Sequence, residues 1–195
     1  PIRFGRTISA LITFVGLFAI FRLGAMEHPD IKTPLIFFSG IIAYSIAVFH
    51  FITEKCQEAL LALRPVLNLE ADAFAEQQAL LGRSSNAQLM LWTLGGLAAG
   101  TIHLIILNGS WSTVFQKFFA GTAIITSHVG TLMVWLVITT MVAFLIKYAM
   151  QFARLGRESA KIDLLNSRPL VPFSRVAIIS SLSMIGALAL FPLMY

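Results

Sequence analysis

Apolar residues fill five stretches of this chain, and the charged residues fall between them. Runs free of Asp, Glu, Lys and Arg cover residues 7–21, 33–53, 84–116, 118–146 and 176–195. A helix rises about 1.5 Å per residue, so roughly 20 apolar residues cross the hydrocarbon core of a bilayer. The first run is short for this, but it extends to residue 26 if Arg22 carries its guanidinium to the interface along its apolar stem. The 84–116 run exceeds one span and is broken by Asn108-Gly109-Ser110. The pattern predicts an all-α integral membrane protein. Its expected form is a bundle of about five transmembrane helices with short cytoplasmic helical hairpins, a single domain over 1–195 with spans near 7–26, 34–53, 88–108, 122–146 and 177–195.

The connecting segments predict short elements of their own. Ser110 is placed to cap a helix on which Trp111, Phe115, Phe118 and Phe119 recur at helical spacing, an aromatic face suited to a membrane interface. Asn108-Gly109-Ser110 also matches a glycosylation acceptor, a three-residue pattern that recurs by chance. Residues 54–83 read as a helical hairpin. The second span continues to Pro65, and a further helix follows, with Asn68 as its cap, Glu70 and Asp72 at its positive end and Gly82 closing it. Residues 162–175 hold Pro169 and Pro172 among Leu164, Leu165, Leu170, Val171 and Phe173, and are expected to dip into the interface without forming a continuous helix.

Composition agrees with the pattern. Of the 195 residues, 57% are hydrophobic and 12% charged, and the mean hydropathy is +0.84. A soluble domain carries about 25% charge. The net charge of +5 would suit nucleic acid if the basic residues clustered, but they flank the apolar runs, which excludes that partner and reports topology instead. With the N-terminus in the cytoplasm, eleven of the fourteen Lys and Arg fall on cytoplasmic segments, and only Arg22, Lys32 and Lys117 fall outside. The expected location is a bacterial inner (plasma) membrane. Arg3 and Arg6 ahead of an apolar run resemble a signal peptide, but Arg22 sits awkwardly for cleavage, so an uncleaved helix is expected. The single Cys56 excludes an internal disulfide. Of the cytoplasmic segments, 54–83 is acidic and 147–175 basic. Opposite signs suit two segments that dock, the alternative being that each is merely solvated.

Candidate chemistry is sparse. Ionisable groups inside a membrane are costly and mark functional sites, yet no span holds an Asp or Glu. Histidines remain. His50 is four residues before Glu54, the spacing of an interfacial helix pair. His103 and His128 fall at similar depth on two consecutive antiparallel spans, where two imidazoles could ligate a b-type haem or a metal. Gly96 and Gly100 form a small-residue pair that lets helices approach closely. Ser and Thr in the spans read as interhelical hydrogen-bonders. There is no His-Glu-x-x-His, Gly-x-Ser-x-Gly or Walker pattern. Three functions stay open. The first is a non-catalytic membrane subunit or sensor and relay module that acts by helix packing in a homo-oligomer or larger membrane complex. The second is an oligomeric channel or transporter component. The third is a haem-binding electron carrier using His103 and His128.

Overall fold

The computed structural model describes residues 2–24, 32–81, 83–119, 121–160 and 168–194. Among them are seven α-helices and no strand: α1 Ile2–Gly24, α2 Lys32–Leu63, α3 Ala71–Leu80, α4 Asn86–Asn108, α5 Trp111–Phe118, α6 Thr122–Glu158 and α7 Val171–Leu188. Four of these, α2, α4, α6 and α7, are long and apolar enough to cross a membrane. The apolar part of α1, Ile8–Gly24, is shorter, near the lower limit of about 17 residues for a span. The fold is the all-α membrane bundle read from the sequence.

The element boundaries differ from the sequence reading, each for a local reason. Helices α2 and α6 have 32 and 37 residues. At about 1.5 Å per residue they are roughly 48 and 55 Å long, well beyond a core of about 30 Å. Nothing breaks α2 before Pro65, which opens a 3-10 turn at Arg64–Val66. Helix α7 begins at Val171, not near 177, because Pro172 sits in its first turn, where a missing N–H costs no helical bond. It ends at Leu188, and Pro192 lies in a 3-10 turn, Phe191–Met194. The dipping segment expected over 162–175 is thus helical from Val171, and residues 161–167 lie outside the described residues. Helix α3 is capped by Glu70 through backbone alone; Asn68 instead donates its N–H to the Ser159 carbonyl at 2.7 Å. The expected closing residue Gly82 lies outside the described residues. Ser110 does cap α5, accepting the Thr113 N–H at 3.2 Å. Gly109, with φ of 82°, supplies the left-handed turn that ends α4.

The helices form a bundle around one central pair. Helices α2 and α6 are the central pair; α4 lies along the far side of α6, while α1 and α7 pack mainly on α2 and each also touches α6. Half of the apolar stretch of α2 is buried, against 17% in α4 and in α7. The bundle has an α5 end and an α3 end. At the α3 end, the extensions of α2 and α6 run on together and enclose their own core. Cys56, Ala59, Leu60 and Leu63 face Tyr148, Phe152 and Leu155, with Leu67, Phe74 and Leu81 from the α3 segment closing over them. An isolated bridge joins Leu67 to Ala160.

Candidate functional site

Close backbone contact organises the centre of the bundle. A Cβ built on Gly96 would stand 2.7 Å from the Leu136 Cα, and one on Gly100 would stand 3.0 Å from a Leu132 methyl and 3.3 Å from the Trp135 Cβ. The pair therefore seats α4 on α6 within the chain, and both glycines are buried there. Hydrogen bonds join α2 to α7 and to α6. Tyr44 Oη donates to the Ser183 carbonyl at 2.9 Å, binding α2 to α7, and its hydroxyl occupies the place a side chain at Gly186 would need. The hydroxyls of Thr53 and Tyr148 meet at 2.8 Å where α2 and α6 leave the apolar zone.

The histidines go to separate places. His128 is buried on α6, with Nδ1 2.7 Å from the Ile124 carbonyl. A carbonyl only accepts, so Nδ1 carries the proton and Nε2 holds a lone pair, buried and without a partner. That is the tautomer an iron or other metal would use. His103 does not meet it. Its ring lies 5.6 Å from that of Trp135, seven residues, or about 10 Å, further along α6. His103 borders an apolar cavity of about 140 Å³ between α2, α4, α6 and α7, lined also by Phe38, Trp135, Met184 and Phe191, while the His128 ring faces Phe118 at 6.2 Å. A cavity near 150 Å³ takes a benzene-sized guest, not a porphyrin. With α4 and α6 in backbone contact at Gly96 and Gly100, no slot for a macrocycle opens between the helices that carry the two imidazoles. The arrangement does not fit a bis-histidine haem. Among the described residues no three His, Cys, Asp or Glu side chains cluster as a metal site. His50 is exposed on α2; its ring contact is with Phe49 at 5.7 Å.

Sequence reasoning missed the bracket at the α3 end. The two segments of opposite charge do dock, through Lys147 and Gln151 of α6 on the α3 segment. Lys147 donates to the Leu80 carbonyl at 3.1 Å and to that of Arg83, so a cation sits on the carbonyl end of α3. Gln151 Nε2 donates to the Gln77 carbonyl at 2.9 Å. Arg154 instead pairs with Glu158 of its own helix at 2.8 Å, both side chains exposed. The legible signal was the apolar i, i+3, i+4 stripe of Cys56, Ala59, Leu60 and Leu63, which continues past the end of the second span and needs a cover. Comparison of the chain with protein-family models, with curated proteins and with solved structures finds no match.

Proposed function

We propose that this chain is a non-catalytic membrane subunit or relay module that works by association with a second copy or a larger membrane complex. In this reading the N-terminus and the α3 end are cytoplasmic, in a bacterial inner membrane. The observation that supports it is the exposed flank of α4. Helix α4 is held by one spanning neighbour, with 17% of its apolar stretch buried, and its far side exposes Leu91, Leu94, Ile102 and Ile106. The glycine pair is already used within the chain, so association must use this far face and that of α7 instead. Chemistry within the apolar zone is scarce. The hydroxyls of Ser39, Thr131, Thr140 and Ser183 turn back to carbonyls four residues earlier, which leaves little to line a hydrated path. The relay element is the α2–α6 pair, two continuous rods that leave the apolar zone side by side and end in a packed bracket. Displacement of either rod within the bilayer is transmitted to the bracket because its core is close-packed.

The test is site-directed crosslinking in native membranes. Cysteines placed at Leu94 and Ile102 should give a crosslinked species of defined mass, whereas Ile12→Cys on α1 should not. Only monomer from α4 and α7 positions alike, at native expression, would overturn the reading.

A further inference from the structure

A second space in the apolar zone carries an unexplained polar atom. It is a partly open groove of about 300 Å³ between α2 and α6, bordered by Ser45, Phe49, His50, Thr140 and Phe144. That volume is at the lower end for ligand pockets, roughly 300–1,000 Å³. Ser45 is 2% exposed, and its Oγ has no hydrogen-bond partner. This is anomalous for its helix. Ser39 and Thr53 on α2 close bonds to Leu35 and Phe49 at 2.8 and 2.9 Å, and Thr140 across the groove closes one to Leu136 at 2.8 Å. A buried hydroxyl in an apolar zone that neglects the available carbonyl is costly, and a ligand atom would remove that cost. Five residues further along α2, about 7.5 Å toward the α3 end, the exposed His50 imidazole stands at the mouth of the same groove. Between them the Phe49 ring lies edge-on to both His50, at 5.7 Å, and Phe144, at 4.6 Å.

We propose that this groove binds the head of a membrane-soluble para-quinone, its ring against Phe49 and Phe144 and its two carbonyl oxygens on Ser45 and His50. Three features select this class. The groove borders the apolar zone, so the ligand must dissolve in lipid. The two hydrogen-bonding groups are separated along the helix by an aromatic surface, so the ligand needs acceptors on opposite edges of a flat ring. A fatty acid offers one polar end: with its carboxylate at His50, its acyl chain would leave Ser45 unpartnered. Hydroxyl and imidazole both donate and accept, so they serve a quinone and its quinol alike. The proposal concerns binding alone and is independent of whether the chain works by association.

The experiment uses the full chain in nanodiscs of uncharged phospholipid and a tritiated benzoquinone with a ten-carbon tail. Saturable binding at one per chain is expected. Ser45→Ala and His50→Leu should each raise Kd about five- to tenfold, as expected for loss of one hydrogen bond in a dry site. Ser45→Ala removes an orphaned hydroxyl, so its thermal midpoint should equal or exceed that of the wild type, and lost binding then cannot be unfolding. An unchanged Kd in both variants overturns the proposal, as does the lack of a saturable component. Displacement of the probe by oleate, with Ser45→Ala silent, assigns the groove to a single acyl chain and overturns it equally.

Discussion

Single atoms decide how the central helices meet. Gly96 faces backbone, and backbone cannot turn aside as a side chain can. Gly96→Leu should therefore destabilise the isolated chain by about 1–3 kcal/mol or more, the cost of overpacking a dense interior. Gly95 next to it meets only a Thr139 methyl, at 3.8 Å. Gly95→Ala should be neutral or slightly stabilising, because alanine is the better helix former by about 1 kcal/mol. Thermal unfolding in detergent, read for the two variants together, separates close packing from a general dislike of change in α4. A second test concerns Tyr44. Tyr44→Phe removes the only side-chain hydrogen bond described between α2 and α7 and should cost about 1 kcal/mol, the usual size of such a bond between membrane helices. The same variant should leave the α3 end untouched, since the two regions share no contact that Tyr44 makes.

Elements interact at the α3 end through apolar stripes and a capped helix end. Cys56 reports on this region because it is only 1% exposed. In the wild type it should resist maleimide under native conditions. Phe74 covers the bracket core and carries the Arg64 guanidinium 5.1 Å from its ring centroid. Phe74→Ala should cost about 3 kcal/mol and raise the Cys56 labelling rate steeply, as expected for loss of a buried aromatic side chain. Lys147→Met should raise labelling modestly, with about 1 kcal/mol lost from the carbonyl end of α3. Reversing Arg154 and Arg157 to Glu should leave the rate unchanged, since Arg154 is exposed and paired within α6. Equal sensitivity to charge reversal and to Lys147→Met would mean that long-range charge, not the carbonyl contacts, holds α3 down.

At the scale of the whole molecule, the proposed orientation makes a directional prediction. Ser112 on α5 and Ala79 on α3 are both exposed at opposite ends of the bundle. In intact cells, an impermeant thiol reagent should modify Ser112→Cys and spare Ala79→Cys until the membrane is opened. The reverse pattern would invert the molecule and place the bracket outside. The native Cys56 does not confuse the result because it is buried. Orientation also bears on the quinone groove. Its His50 end is nearer the α3 end, so the proposed topology puts that end of the groove in the cytoplasmic leaflet.

The chain alone determined the all-helical membrane class and the rough place of the four helices long and apolar enough to cross a membrane, because the bilayer imposes a length and an absence of charge that any reader of residues can see. It also determined the caps that depend on neighbours in sequence, such as Ser110 on α5. Partners across space were decided by the tertiary structure. Gly96 and Gly100 were legible as a close-packing face, but whether that face meets another chain or α6 depends on which helices lie side by side. His103 and His128 were legible as similar in depth, but which rings they meet depends on how α4 and α6 are set along each other: His103 meets Trp135, two turns along the same face of α6 from His128, while His128 meets Phe118. The charges of the two α3-end segments suggested docking, but exposed charges are screened and the contact was made by Lys147, Gln151 and an apolar stripe. Ser45 looked like any membrane hydroxyl. Only the tertiary structure, in which its buried Oγ is left without a hydrogen-bond partner on a residue that borders a groove, sets it apart.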